Sequence, residues 1–162
     1  MDTAHEEVEA RLGALLTDEE DWVAAMATVV SELHNAFDHF HWTGFYRTVR
    51  PEHLKIGPYQ GGHGCLDIPF DRGVCGAAAR TRTTQDVPDV HARSDHIACS
   101  GSTMSEVVVP IVAMSGPVVA VLDVDSDVPS AFTLEDVALL ERVCERLGAQ
   151  FGDAVAQSAG LV

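Results

Sequence analysis

The sequence predicts an α+β fold in which helices cover one face of a mostly antiparallel sheet. Three observations carry that expectation. Apolar residues recur at helical spacing near the start of the chain, alternate with period two through its middle, and return to helical spacing at its end. Such an order places helices at the two ends of the chain and strands between them, and both must bury an apolar face together.

Two helices are expected first, at about 4–15 and 18–37. Thr3-Ala4-His5-Glu6 and Thr17-Asp18-Glu19-Glu20 both fit the capping-box pattern. The second leads into the stripe Trp22, Met26, Val29, Val30, Leu33 and Phe37. His41 to Val49 then alternates as a strand, with Trp42, Gly44 and Tyr46 on one face. A second strand covers His53 to Ile56, interrupted or ended by Gly57-Pro58, and Gly61-Gly62 opens a loop. Leu66 to Pro69 is a short strand, and Gly73 to Thr81 a short helix built around Ala77-Ala78-Ala79. Thr84 to Val87 is extended, and residues 89–104 form a long polar loop with one helical turn, of the kind that often carries function. Glu106 to Ala113 and Val118 to Asp125 form a hairpin around Met114-Ser115-Gly116-Pro117. Thr133 caps a closing helix that carries Leu134, Val137, Leu140, Val143, Cys144, Leu147, Phe151 and Val155. The sheet therefore has five or six strands.

The 162 residues are expected to form one domain, 1–162, and 46% of them are hydrophobic, enough for a proper core. The net charge of -15 argues against nucleic acid and anionic membrane as partners. The acidic start of the chain is no secretory signal, and no segment reaches the ~18 apolar residues of a membrane span. Four cysteines without an export signal point to reduced thiols in the cytoplasm, where a disulfide is transient and catalytic.

The hairpin permits a sharper expectation. With Ser115-Gly116 as a two-residue turn, Ala113 pairs with Val118, Ile111 with Ala120, Val109 with Leu122 and Val107 with Val124, all on one apolar face. The other face pairs Val112 with Val119, Pro110 with Val121, Val108 with Asp123 and Glu106 with Asp125. Like charges facing each other are unfavourable, so Glu106, Asp123 and Asp125 form either a solvated sheet edge or a pocket for an ammonium group or a metal. Trp42 and Tyr46 are either core residues or the apolar walls of that pocket.

Cys65, Cys75 and Cys99 lie in polar, glycine-rich surroundings, whereas Cys144 belongs to the apolar stripe of the last helix. His96, backbone N–H groups in a tight turn, or the start of the short helix in the case of Cys75, would favour thiolates. Such a set suits attack by one thiolate on an electrophilic sulfur or oxygen, then condensation of the sulfenic acid with a second cysteine. Zinc is the competing use of His63, Cys65, Cys75, His91, His96 and Cys99. Only His63 and Cys65 are closely spaced, unlike the paired ligands of structural zinc sites, so no metal and no cofactor is assigned.

Several strings together resemble the free methionine-(R)-sulfoxide reductases, small single-domain enzymes of the GAF fold. They are Trp42-Thr43-Gly44-Phe45-Tyr46, Gly57-Pro58-Tyr59-Gln60-Gly61, Ile68 through Gly76 with Arg72-Gly73-Val74-Cys75, Val87 through His91, His96-Ile97-Ala98-Cys99, Ser105 through Pro110, and Leu122 through Ser126. The resemblance runs from about Thr17 to Phe151. It implies a GAF-like sheet with the terminal helices on one face and long loops forming a pocket on the other. It also implies thiol-dependent reduction of free methionine-(R)-sulfoxide, with Cys99 as nucleophile, Cys65 as its disulfide partner and Cys75 as a resolving, alternative or auxiliary thiol. Glu106, Asp123 and Asp125 match the carboxylates that hold the substrate's amino group and sulfoxide end, and Trp42 and Tyr46 its aromatic walls. A thioredoxin-like reductant and a homodimer are further implications. The segment Gly62-His63-Gly64 departs from the family's lysine-proline-containing form. A non-catalytic GAF module sensing a small molecule or oxidant is the alternative, and a zinc-binding interaction protein a third.

Overall fold

The computed structural model describes residues 2–97 and 99–162; Met1, and Ala98 of the His96–Cys99 string, lie outside the described residues. Helices α1 (Thr3–Leu16) and α2 (Trp22–Ala36) precede strands β1 (Trp42–Arg50), β2 (His53–Gln60) and β3 (Asp67–Pro69). Helix α3 (Gly73–Thr81), strand β4 (Gln85–Val87) and a 3-10 turn (Val90–Ala92) follow, then β5 (Ser105–Val112), β6 (Val118–Ser126) and helix α4 (Leu134–Ser158). The six strands form one sheet in the order β3-β2-β1-β6-β5-β4, and every neighbouring pair is antiparallel. Among the described residues no helix is long and apolar enough to cross a membrane.

The sheet separates two cores. On one face Phe45, Val107, Val109, Ile111, Leu122 and Val124 pack under Met26, Val29 and Leu33 of α2 and Leu140, Leu147 and Phe151 of α4. On the other, Val74, Ala78 and Ala79 of α3 cover Tyr46, Leu54, Val108 and Val121. The terminal helices thus share one face as expected, while α3 and the long loops take the other.

Several local features differ from the sequence-based expectations. Helix α2 starts at Trp22, because Asp21 rather than Thr17 caps it: the Ala24 N–H donates to the Asp21 carboxylate at 2.8 Å. The Thr17 hydroxyl instead donates back to the Gly13 carbonyl at 2.6 Å, closing α1, whose own start has no side-chain cap. Strand β2 does not end at Gly57-Pro58. Gly44 pairs with Tyr59 and Tyr46 with Ile56, so both residues bulge opposite Phe45, a place where a proline's missing donor is tolerated.

The hairpin register from Glu106↔Asp125 to Ile111↔Ala120 is as expected, but its tip is not. Ala113 N–H donates to the Pro117 carbonyl and Gly116 N–H to the Ala113 carbonyl, both at 2.9 Å, so the loop has the three residues Met114 to Gly116. Gly116 takes a φ of 118°, which glycine adopts without steric cost. Val112 then pairs with Val118 rather than Val119, and Val119 becomes an extra residue in β6. It joins Ala120 in the helix-side core, while Val118 and Val121 face α3.

Thr133 and Asp136 form the capping box that starts α4. The Asp136 carboxylate also meets His5 Nε2 of α1 at 2.8 Å and His39 Nε2 of the α2–β1 connection at 2.7 Å. One buried carboxylate thereby ties together three segments of the helical layer.

Candidate active site

The sheet register assembles the site. Antiparallel pairing sets Trp42 beside Asp125 and Gly44 beside Asp123, and β5 sets Glu106 opposite Asp125. Side chains on alternate residues share a face, so all three carboxyls project to the α3 side with Trp42 and Tyr46. They do not form a wet sheet edge: Glu106 is 7% exposed and Asp123 4%. The two aromatics are both core and wall. Trp42 stacks between Tyr46 at 5.9 Å and Tyr59 at 5.4 Å, and its indole N–H donates to the Gly62 carbonyl at 2.7 Å. Gly44 leaves room for this stack, since a Cβ there would lie 2.5 Å from the Trp42 ring.

Cys65 and Cys99 meet over this hollow as a disulfide, with Cα atoms 5.3 Å apart. They come from the β2–β3 connection and from the loop before β5, so only the fold brings them together. Gly73, at φ 66°, turns the chain into α3, and a Cβ there would lie 2.9 Å from Ile97. That close approach lets the Cys99 loop pack down onto the start of the helix.

The thiolate expected for Cys75 in polar, glycine-rich surroundings is corrected. The thiol is buried in the first turn of α3 and donates to Asp123 Oδ2 at 3.4 Å. Burial first, and then the charge of Asp123, push it well above the ordinary thiol range, against the pull of the helix N-terminus. Cys144 is core, as expected.

The carboxyls are shifted the same way. Burial and the neighbouring Asp123 raise Glu106; burial and Asp125 raise Asp123; burial and Glu106 raise Asp125. Like-charged carboxyls packed this closely and largely out of solvent favour retaining a proton among them. Tyr46 is raised by burial and by Asp123, so its phenol stays protonated. Burial and His91 lower His96.

Cys65, Cys75, Cys99, Glu106, Asp123, Asp125, Trp42 and Tyr46 all lie in or against one hollow. His63 and His96 line it too, and His91 packs edge-on against His96 at 6.4 Å. The zinc set considered from sequence does not assemble as such, because the disulfide occupies two of its thiols. Sequence reasoning did not assign Ile68, Val74, Ile97 and Thr103 to the site, and they line it too. Val74 beside Cys75 and Ile97 near Cys99 offered a signal in their strings; Ile68 and Thr103 come to the hollow only through the packing of β3 and of the loop before β5.

The model of the GAF domain matches residues 2–151. The chain is 38% identical over 137 residues to a free methionine-R-sulfoxide reductase of Escherichia coli, covering 80% of this chain and 82% of that protein. It is 39% identical over 131 residues to the free methionine-R-sulfoxide reductase of Saccharomyces cerevisiae, covering 77% and 73%. The X-ray structure of free methionine-R-sulfoxide reductase from Neisseria meningitidis in complex with its substrate superimposes with a TM-score of 0.86 at 38% identity, covering 100% of this chain and 95% of that one.

Proposed function

Because the chain belongs to the GAF-domain family and, within it, to the free methionine-R-sulfoxide reductases, we propose that it reduces free methionine-(R)-sulfoxide to methionine with Cys99 as the attacking thiol. The observation that carries this reading is the Cys65–Cys99 disulfide lying over a hollow walled by Trp42 and Tyr46 and floored by the buried carboxyls of Glu106 and Asp123 with the half-buried Asp125.

The chemistry follows from these groups. An amino acid free at its nitrogen brings an ammonium, which the ionised carboxylates hold by charge-assisted hydrogen bonds. A methionine sulfoxide within a protein has an uncharged amide there and would leave the carboxyls unpaired. The proton retained by the trio is available to the sulfoxide oxygen. Cys99 Sγ attacks the sulfoxide sulfur and the oxygen passes to Cys99 as a sulfenic acid. The substrate sulfur gains two electrons, Cys99 loses two, and methionine leaves. Cys65 Sγ then displaces the sulfenic oxygen, which departs with a proton as water, and the disulfide forms. An external dithiol of the thioredoxin type supplies two electrons to reopen it. We assign Cys75 an auxiliary role, holding Asp123 through its S–H.

In the disulfide-closed state the cavity is about 40 Å³, room for a few waters and not for an amino acid. Reduction would therefore precede substrate entry. A reducing compartment such as the cytoplasm suits that cycle. The homodimer implied by the resemblance would find an apolar surface where Val23, 59% exposed, adjoins Trp22 and Phe151; sedimentation velocity tests it.

Turnover with free methionine-(R)-sulfoxide and dithiothreitol is the direct test. The wild type should form methionine, Cys99→Ser should form none, and the N-acetylated sulfoxide should be refused. Absence of methionine with the wild type would end the proposal.

A further inference from the structure

We propose that the disulfide-closed protein binds a thiophilic divalent cation of the Zn²⁺ or Co²⁺ type, with Cys75 Sγ, Glu106 and Asp123 as its ligands. These residues each offer one ligand atom, and the three atoms lie within 4.8 Å of one another in buried surroundings. The distance from Cys75 Sγ to Asp123 Oδ2 is already 3.4 Å. Two ligands at tetrahedral zinc, with bonds of roughly 2.0 and 2.3 Å, stand about 3.5 Å apart, so side-chain adjustment alone brings the set onto a metal.

A second observation points to a missing cation. Asp123 is 4% exposed, yet no N–H, O–H or S–H of the described residues reaches its Oδ1 except a proton shared among the carboxyls themselves. Asp125 Oδ1, on the neighbouring position of the same face, likewise has no hydrogen-bond partner among the described residues. Arg93, whose charge reaches Glu106, is engaged with Asp95 and Gln85. Two carboxyl oxygens at the hollow thus have no hydrogen-bond partner among the described residues. The thiolate selects among cations: a soft sulfur favours zinc or cobalt over magnesium and calcium, which prefer oxygen alone. The remaining space of about 40 Å³ accepts an ion with a water. On binding, the Cys75 S–H bond breaks, an Sγ–metal bond forms, and the thiol and carboxyl protons go to solvent. Affinity therefore rises with pH.

The site shares the hollow of the proposed reductase but is read without turnover. In the oxidised protein Cys65 and Cys99 are consumed, leaving Cys75 and the core residue Cys144 as the free thiols. Titration of oxidised, metal-free protein with Co²⁺ should give a near-ultraviolet thiolate-to-cobalt band that saturates at one ion per chain and is bleached by a chelator. Cys75→Ser should lose the band, Cys144→Ala should keep it, and Asp123→Asn should weaken binding at least tenfold, each checked for folding by circular dichroism. No band with wild-type protein, or a band that survives Cys75→Ser, would overturn the site. Should Cys75→Ser fail to fold, loss of tight binding in Asp123→Asn decides, and unchanged affinity there overturns it. A protein that binds cobalt but forms no methionine sinks the reductase reading alone, and the converse sinks this one.

Discussion

Cys65 and Cys75 stand against the same hollow in opposite chemical situations. Cys65 is already bonded to Cys99, whereas Cys75 is a buried thiol held in its neutral form by its surroundings and bonded to Asp123. Their serine variants should separate accordingly. Cys65→Ser should complete one turnover and stop as a sulfenic acid, detectable by dimedone trapping, because no partner thiol is in place. Cys75→Ser should form the Cys65–Cys99 disulfide on oxidation and continue to cycle, with a change confined to substrate affinity through Asp123; mass spectrometry of the oxidised variants reads both. The residue types at the site were legible from their strings, and so was the core position of Cys144. The burial of Cys75 was not. It depends on α3 lying over β5 and β6, which no local pattern around Arg72-Gly73-Val74-Cys75 encodes.

At the scale of elements, capping decides where helices begin, and only some capping patterns become caps. Thr133 accepts from the Asp136 N–H at 3.1 Å and Asp136 returns the bond to Thr133, whereas Thr17 caps nothing in α2. Urea unfolding should show Thr133→Ala and Asp21→Ala each costing about 1 kcal/mol, and Thr17→Ala about 0.5 kcal/mol or less. The hairpin teaches the same lesson. Its outer register followed from separating apolar from acidic faces, a constraint spread over many residues. Its tip depended on two features that offset each other, a three-residue loop and an extra Val119 in β6, so the charged end stayed in register. Glu106, Asp123 and Asp125 could be grouped from sequence for that reason. Strand β2 was read short because Gly57-Pro58 looks like a stop when the bulge that accommodates it is not visible.

Across the whole molecule, two sets of buried carboxyls affect stability with opposite signs. Asp136, though burial opposes its charge, is lowered by the Thr133 backbone and by His5 and His39. A group lowered on folding contributes stability above its unfolded pKa and loses it as pH falls through the folded value, so this contribution fades in acid. The trio at the site behaves in reverse. Glu106, Asp123 and Asp125 are raised on folding, so the native state holds protons that the unfolded chain has released. Their penalty is absent in acid, sets in as pH rises past the ordinary carboxyl range, and grows toward neutrality. Replacing one of them with its amide removes an acid that the proposed function requires and the fold does not. In metal-free protein Glu106→Gln and Asp123→Asn should therefore lose most activity and yet melt higher at neutral pH, by about 3–6 °C for about 1–2 kcal/mol. The gain should shrink when the same melts are repeated at about pH 3, below the ordinary carboxyl range, where the wild-type trio is mostly protonated in both states. Variants that melt lower than wild type at neutral pH would mean that a cation or a donor already satisfies the trio in solution, and would count against the like-charge repulsion argued for the site.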